Sequence, residues 1–395
     1  MYAYYINNLI ARIYHAFKTH SRVTYFIEKK SFFLFGPRAT GKSTLIRNSF
    51  DADEIIMINL LRSDYYLRLN NAPHMLEEMI QGHSTPKLVV IDEVQRVPEL
   101  LNEVHRLIEE QQVTFLLTGS SARTLKKQGI NLLAGRAWQA HLFPLTSDEI
   151  PSFNLMRYLR YGGLPAVYLS DYPEEELNAY VHTYLREEVQ AESLIRKIPA
   201  FTRFLEVAAL SSGKMLNFSE IASDTGAPIS TVREYYHILE DTFIGFMVPG
   251  WTKSVKRKAI AKAKFYLFDV GVKNTLAQIT DIAPKTDLFG QAFEHFIAME
   301  IRAWLEYRRI NKLLSYWCST HGAEVDFIIG DDIALEVKAT HQIHDKHLKN
   351  LHLLVEEDVC KQYIIISFDK INRKKGLIEI LHWETFLERL WNDDI

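Results

Sequence analysis

Short apolar runs alternate with amphipathic stretches over the first 150 residues of the chain. Largely apolar runs occur at 31–35, 87–91 and 113–117, and each is followed by glycine or polar residues. Stretches with helical apolar spacing lie between them. Strands that alternate with helices form a parallel sheet with helices on its faces. The pattern therefore predicts an α/β domain over residues 1–150.

The region from 151 to 280 reads mostly as helix. Two short helices are predicted at 216–222 and 229–240, and Gly226 lies in the turn between them. Glycine between two short helices is typical of a helix-turn-helix. A hairpin formed by the segments within 244–269 would add a wing. We therefore predict a helical linker and a winged-helix region here.

Mixed helix and strand patterns return over residues 281–395. An amphipathic helix begins near Phe289, and a short polar turn at 330–332 separates two strands that we expect to form a hairpin. The predicted order is helix, three strands, helix, strand, with the strands at 312–318, 323–330, 333–340 and 362–368. The chain is thus predicted to be an α/β protein of three domains.

Composition adds little to this picture. The 395 residues are 47% hydrophobic and 24% charged, as in an ordinary globular protein, and the net charge of −3 means that any nucleic-acid surface must be local. The two cysteines have no metal-like spacing and indicate a reducing compartment. We recognise neither a signal peptide nor a membrane span, and interpret the apolar face at 5–14 as a packed helix. We expect a cytoplasmic location without a membrane partner.

A phosphate-binding loop follows the first predicted strand and opens a helix. Its glycines let backbone N–H groups face phosphate oxygens, and the helix N-terminus adds partial positive charge. The lysine reaches the β- and γ-phosphates, and the following serine binds Mg²⁺. The residues of the loop are Gly36, Pro37, Arg38, Ala39, Thr40, Gly41, Lys42, Ser43 and Thr44.

Two carboxylates end the strand at 87–91. Asp92 is placed to support the metal, and Glu93 to orient or deprotonate the attacking water, which are the two acidic roles that a P-loop enzyme requires. Together with the loop, they predict a nucleoside triphosphate site.

Polar residues at the end of the third strand lie where open α/β sheets bind ligands. Thr118 or Ser120 could sense the γ-phosphate; the alternative is an ordinary turn. Arg136 is a candidate arginine finger, supplied within the chain or by a neighbouring subunit. The alternative for Arg136 is a surface arginine.

A basic segment lies within the predicted winged hairpin and contains no acid. Such a local patch is what contact with a phosphate backbone requires. The alternative is a solvated wing that contacts protein. Few basic residues occur on the second short helix, so sequence-specific base recognition is not expected. The basic residues are Lys253, Lys256, Arg257, Lys258, Lys262 and Lys264.

Charged residues interrupt the apolar strands of the last domain. A hairpin brings Asp326 beside Glu336 and Lys338, and Glu294 on the preceding helix is a further candidate ligand. Two carboxylates hold Mg²⁺, and a lysine beside them positions water for phosphodiester attack. This predicts a nuclease-type metal site. The alternatives are a fold of that type with weak or no cleavage, and plain surface charge.

The chain resembles the AAA-plus ATPases common in bacteria and archaea whose C-terminal part is a domain of unknown function. The resemblance covers nearly the whole chain, but no helical lid with a second sensor arginine follows Arg136; the winged-helix region can take its place. It rests on the motifs GPRATGKS (36–43), VVIDEVQ (89–95), LTGSS (117–121), LAGR (133–136), YLREEV (184–189), FYLFDVG (265–271), GQAFE (290–294), EVDF (324–327) and EVK (336–338).

The resemblance implies that ATP binds at 36–44 and 92–93, with Mg²⁺ as cofactor. It also implies a winged helix and a restriction-endonuclease-like core, which would use Mg²⁺ or Mn²⁺ at Glu294, Asp326 and Glu336, with Lys338 beside them. We therefore expect an ATP-hydrolysing, DNA-associated protein whose nuclease-like domain responds to nucleotide state. The alternative is a nucleotide-switched DNA- or protein-binding module with an inactive nuclease fold. A homo-oligomer or a protein partner remains open.

Overall fold

The structure, a computed structural model, describes six parts of the chain: residues 30–83, 88–127, 133, 136–185, 198–254 and 256–395. The helix interpreted at 5–14 lies outside these residues, as does most of the motif at 184–189.

The first domain contains a five-stranded sheet in which every strand pair is parallel, in the order β2-β3-β4-β1-β5. The predicted strands at 31–35, 87–91 and 113–117 are confirmed within a few residues, whereas the second and fifth strands were not predicted. The strands are β1 (Ser31–Phe35), β2 (Ile55–Asn59), β3 (Leu88–Asp92), β4 (Phe115–Gly119) and β5 (Ala137–His141).

Both faces of this sheet are buried, which explains the continuous apolar runs. Phe33 and Phe35 share one core with Leu107, while Phe32 and Leu34 belong to a second core on the opposite face. The helices of the domain are α1 (Lys42–Ser49), α2 (Ser63–Asn71), α3 (Met75–Gln81), α4 (Leu100–Gln111) and α5 (Arg123–Lys127).

A helical region and a hairpin follow. Six α-helices and a π-helix are described before the two antiparallel strands, and residue Met215 adds one bridge to Lys264. The predicted helices at 216–222 and 229–240 are confirmed within three residues. The elements are α6 (Leu155–Tyr161), α7 (Pro165–Tyr168), α8 (Pro173–Ala179), a π-helix (Tyr180–Leu185), α9 (Ile198–Leu210), α10 (Phe218–Thr225), α11 (Ile229–Asp241), β6 (Gly245–Val248), β7 (Lys264–Leu267) and α12 (Val270–Leu276).

The last domain contains a six-stranded mixed sheet in the order β12-β13-β11-β10-β9-β8. The predicted elements are present, and the chain continues beyond the predicted order with two further strands and a helix. None of the described helices is long and apolar enough to cross a membrane. The elements are α13 (Asp287–Tyr307), β8 (Leu314–Cys318), β9 (Glu324–Ile329), β10 (Ile333–Lys338), α14 (Asp345–Val355), β11 (Gln362–Ser367), β12 (Arg373–Lys375), β13 (Ile378–His382) and α15 (Trp383–Trp391).

Helix α13 joins the last domain to the first. Its apolar residues share the core of Phe32 and Leu34. Within that core the Glu300 carboxylate accepts bonds of 2.8 Å from Ser147 N, Ser147 Oγ and Trp391 Nε1, and burial raises the pKa of Glu300 to about 7. The segment that follows β5 is therefore bonded directly to the C-terminal domain.

Candidate functional site

The loop at 36–44 closes around its own lysine. Gly41 has φ of 92° and precedes α1, and Gly36 has φ of 152° with its backbone against Leu142 O, where a Cβ would lie 2.3 Å away. The Lys42 ammonium donates to Gly36 O at 2.7 Å and Pro37 O at 2.9 Å. The sequence thus forms the predicted strand, loop and helix, with the ammonium held at the loop carbonyls.

Asp92 links three elements at the carboxyl edge of the sheet. Ser43 Oγ donates to Asp92 Oδ2 at 3.0 Å, and Thr118 Oγ1 donates to Asp92 Oδ1. Asp92 is buried, whereas Ser43 is half-buried. Hydroxyl and carboxylate oxygens are the ligands that Mg²⁺ prefers, so Ser43 and Asp92 fit the role that the sequence assigns to them.

Glu93 is held in an unusual backbone conformation beside these residues. Its φ of 62° is left-handed, a conformation that costs a non-glycine residue of the order of 1–3 kcal/mol. Its N–H donates to Thr118 Oγ1 at 3.2 Å, and its carboxylate accepts bonds from Gln95 Nε2 and from Ser120 Oγ at 3.2 Å. The carboxylate is therefore positioned by neighbours from two strand ends.

Gln95 is a site residue that the sequence reasoning missed. Besides Glu93, its Nε2 donates to Ser120 Oγ at 3.2 Å, and a Cβ on Gly119 would lie 2.8 Å from its Oε1. The signal available in the sequence was a polar residue two positions after Glu93 in a segment that also contains Val94 and Val97. In the structure all three are buried.

Arg136 lies at the wrong end of the sheet to act on its own nucleotide site. It precedes β5, whose first residue pairs with Ser31, whereas the loop follows the last residue of β1. A five-residue strand is about 16 Å long, beyond the reach of one arginine. Arg136 is instead ion-paired with Glu109. The prediction of a finger within the chain is wrong; a finger for a neighbouring subunit stays a prediction.

Arg123, which the sequence analysis did not single out, joins the nucleotide site to α11. It begins α5 directly after the strand-end residues of β4. Its guanidinium donates to Glu234 and lies 3.7 Å from Asp241 Oδ2, and the neighbouring Ala122 N donates to Asp241 O at 3.0 Å. Arg123 is 5% exposed, whereas the side chain of its partner Glu234 is 55% exposed, so solvent reaches this ion pair from one side.

Phe243, which follows α11 and its cap residue Thr242, also reaches the end of the sheet that carries the phosphate loop. The Phe243 ring lies 5.4 Å from both the Phe35 and His141 rings, which end β1 and β5. The helical region therefore packs beside the phosphate loop.

Asp326, Glu336 and Lys338 come together in the last domain, as the hairpin prediction required. The pairing of Leu335 with Phe327 places Glu336 opposite Asp326. Lys338 Nζ lies 2.6 Å from Glu336 Oε1, and Asp326 Oδ2 accepts a 2.7 Å bond from Val337 N. Burial and the nearby Asp326 raise the pKa of Glu336. Asp326 and Glu336 are buried and Lys338 is half-buried, so the plain surface-charge alternative is wrong.

Glu294 also belongs to this group of charged residues. Its ion pair is with Lys264, a lysine of the preceding domain. Tyr266 Oη donates to Glu294 Oε1 at 2.6 Å, and Lys264 Nζ lies 3.4 Å from the same oxygen. Lys264 Nζ also lies 2.6 Å from Glu324 Oε1. Burial and Asp326 raise the pKa of Glu294.

The fit of this group to a metal is poor. Across the described parts of the chain, no set of three or more histidine, cysteine, aspartate or glutamate side chains is arranged to hold a metal ion. The carboxylates are engaged instead with lysines, a tyrosine and a backbone N–H.

Half of the residues of the predicted basic patch are paired with acids. We call the chain between β6 and β7, residues 249–254 and 256–263, the strap. Backbone bonds from Trp251 N to Tyr316 O (2.6 Å) and from Ile260 N to Cys318 O (2.8 Å) fasten it along β8, so it is not a free wing. Acids of the last domain, absent from the local sequence, therefore meet its basic side chains.

Three of the six predicted DNA-binding residues are paired with acids and a fourth with a backbone carbonyl, so a single patch of all six is wrong. Lys253 pairs with Asp331 at 2.6 Å, Lys256 Nζ donates to Glu356 O, Arg257 pairs with Glu356 at 2.6 Å and Glu357 at 3.1 Å, and Lys264 is buried. Lys258 and Lys262 are exposed.

Three protein families match successive parts of the chain. Residues 28–151 match the AAA domain, residues 152–283 match a domain of unknown function (DUF8612), and residues 289–386 match a domain of unknown function (DUF4143).

Relatives of the chain occur in distant microorganisms. An uncharacterised protein of Mycobacterium tuberculosis is 25% identical over 327 residues, covering 78% of this chain and 70% of the relative. One of Haemophilus influenzae is 23% identical over 361 residues, covering 84% and 87%. The Walker-type ATPase PABY2304 of Pyrococcus abyssi is similar with a TM-score of 0.42 and 15% identity, covering 68% of this chain and 94% of that chain.

The family matches agree with the resemblance drawn from the motifs and with the predicted α/β fold class. The chain therefore has the AAA-type domain of a P-loop ATPase family, followed by the C-terminal domain of unknown function DUF4143.

Proposed function

We propose that the protein is an ATP-binding and ATP-hydrolysing switch. The observation that carries this proposal is the set of bonds at the carboxyl edge of the first sheet, where Ser43 and Thr118 converge on Asp92 and Glu93 stands beside them. Loop, metal-binding side chains and an acid for the water are what a P-loop NTPase requires.

Each residue has a proposed role. The backbone of 36–44 and the Lys42 ammonium bind the phosphates, Ser43 and Asp92 hold Mg²⁺, and Glu93 orients the attacking water. The metal would neutralise charge that develops on the phosphates. Thr118 holds both Asp92 and the Glu93 backbone in position.

Binding of ATP to the full chain tests this proposal. Replacing Lys42 by alanine removes the ammonium that donates to Gly36 O and Pro37 O, and should raise the Kd for Mg-ATP at least about tenfold. Lys30→Ala, an exposed lysine just before β1, is the matched control and should leave the Kd unchanged. Equal Kd values for Lys42→Ala and wild type would contradict the proposed site.

We also propose that nucleotide state is passed to α11. Ser120 touches the Glu93 carboxylate, and Arg123 lies three residues further and binds two acids of α11. A change in Glu93 on nucleotide binding would therefore move the start of α5. Two discrete arrangements of such a packed contact are what a switch needs.

The coupling can be measured by hydrogen–deuterium exchange of residues 229–241. In wild type, a non-hydrolysable ATP analogue should change their protection; in Arg123→Gln this change should disappear, while the Kd for the analogue stays within about threefold. Arg203→Gln, an exposed residue of α9, is the control. An unaltered exchange response in Arg123→Gln would show that the signal does not pass through this contact.

A DNA-associated role is the candidate for the remaining domains. We interpret α9 to β7 as a winged helix. In support, a cleft of about 470 Å³ is lined by Arg233, Lys262 and His237, with Glu240 beside His237. Arg233 and Lys262 supply positive charge for a phosphate backbone there. The grouping of Asp326, Glu336 and Lys338 supports a nuclease-like domain.

Cleavage of supercoiled and linear DNA with Mg²⁺ or Mn²⁺ tests this candidate. A nuclease should lose cleavage in Asp326→Ala, and Lys42→Ala would show whether ATP controls it. Absence of cleavage under all conditions, with ATP turnover intact, would favour the alternative of a nucleotide-switched binding protein with an inactive nuclease fold.

A further inference from the structure

Lys264 is the feature of the nuclease-like site that the sequence did not predict. It belongs to β7, outside the last domain, yet its side chain is 3% exposed and ends among acids of α13 and β9. The Tyr316 ring lies 5.0 Å from its ammonium. The strand is fixed by pairing with Val248 and by the bridge to Met215, so the position of Lys264 is set by the hairpin.

The surroundings of Lys264 are strongly acidic. We call Glu294, Glu324, Asp326 and Glu336 the acidic cluster. Glu294 and Glu324 are paired with the Lys264 ammonium and Glu336 with that of Lys338, whereas Asp326 accepts its bond from Val337 N. Glu336 is 1% exposed and its Oε2 has no hydrogen-bond partner among the described residues. An unpaired buried carboxylate oxygen indicates a site that would accept more positive charge.

The ammonium stands where a metal would have to bind. Divalent cations lie about 2.0–2.6 Å from their oxygen ligands. A metal bound to Glu294 and Glu324 would then be nearly in contact with Lys264 Nζ, which lies 3.4 Å and 2.6 Å from those carboxylates. Like charges at that distance repel strongly in a buried site.

We propose that Lys264 takes the place of a divalent cation at the acidic cluster, and that the ammonium and a metal ion compete for the same carboxylates. The inference rests on the nuclease-like site proposed above and is independent of ATP. Because the hairpin places Lys264 in the acidic cluster, a metal ion cannot bind there while β7 packs against α13 and β9.

The test is the affinity of the full chain for Mn²⁺, measured by isothermal titration calorimetry without nucleotide. Lys264→Met keeps the length of the side chain but removes its charge, and should lower the Kd for Mn²⁺ at least about tenfold. Adding Asp326→Asn to Lys264→Met should remove the gain, which assigns the bound ion to the acidic cluster rather than to Ser43 and Asp92.

The control is Lys361→Met. This lysine forms a 2.6 Å ion pair with Asp332 in the same domain but is 82% exposed, so its loss should leave Mn²⁺ affinity at the wild-type value. If folded Lys264→Met binds Mn²⁺ no more tightly than wild type, the proposal is wrong.

Lys264→Met also leaves buried carboxylates unpaired, which can prevent folding. In that case the proposal predicts that millimolar Mn²⁺ restores a cooperative thermal transition to the variant while leaving the Tm of wild type unchanged. Failure of Mn²⁺ to restore the transition would equally overturn the proposal. Neither readout involves ATP, so a negative result here would leave the proposed nucleotide site untouched.

Discussion

Replacing Glu93 by glutamine should lower the kcat for ATP hydrolysis at least about 100-fold, because the amide cannot accept the proton of the attacking water. The Kd for ATP should stay within about threefold, since the Lys42 ammonium and the Ser43–Asp92 pair are unchanged. Phosphate release and nucleotide binding, measured on the same preparation, give the two values.

The matched control for this prediction is Glu99→Gln, an exposed acid six residues further along. It should hydrolyse ATP at the wild-type rate. A Glu93→Gln variant that retains more than about a tenth of the wild-type kcat would assign the activation of water to another residue.

The largest effect on stability should come from Asp269→Ala, with a loss of about 3 kcal/mol in the free energy of unfolding. The buried carboxylate of Asp269 accepts bonds from Gly163 N at 2.8 Å and Val272 N at 2.9 Å, and so joins α12 to the turn after α6. Alanine leaves both donors buried and unpaired. Urea denaturation measures the free energy of unfolding. The control Asp281→Ala, at an exposed residue, should change this free energy by less than about 0.5 kcal/mol.

Asp269 should also leave a signature in the pH dependence of stability. Burial raises its pKa from 3.8 to about 6 in the folded protein. Because the folded state holds the proton more tightly, the contribution of Asp269 to stability is greatest below its unfolded pKa and falls as pH rises to about 6. In Asp269→Asn this decrease in the free energy of unfolding with rising pH should be absent. If the free energy of unfolding varies with pH in the same way in wild type and Asp269→Asn, the raised pKa of Asp269 is contradicted.

The nucleotide site was predictable because its residues are consecutive and each needs a specific chemical type. The loop at 36–44 and the pair Asp92 and Glu93 could be read directly from the sequence, and parallel strand ends bring them together. The strands of the last domain were equally clear, since alternation fixes which side chains share a face. Glu336 and Lys338 therefore lie together as expected.

The contacts between domains could not be read in the same way. Arg123 meets Glu234 more than 100 residues away, and the Lys264 ammonium enters an acidic cluster in another domain. Neither contact has a local pattern. The contacts of the strap could not be read from its sequence either. The strap contains no acid, and Glu356 and Asp331 reach its lysines only because the strap packs along β8.

The motif at 265–271, to which the sequence analysis assigned no role, contributes to packing. Asp269 and Gly271, part of the motif at 265–271, are structural: a Cβ on Gly271 would lie 2.1 Å from Tyr161 O, and one on Gly162 would lie 2.0 Å from an Asp269 oxygen. Close packing of α6 against α12 therefore accounts for these residue types.

The rate of phosphate release from ATP by the wild-type full chain, with Mg²⁺ and then with EDTA, tests the central claim most directly. The account predicts steady Mg²⁺-dependent turnover that stops with EDTA and is lost in Lys42→Ala. A folded wild-type protein that neither binds nor hydrolyses ATP in the presence of Mg²⁺ would contradict it.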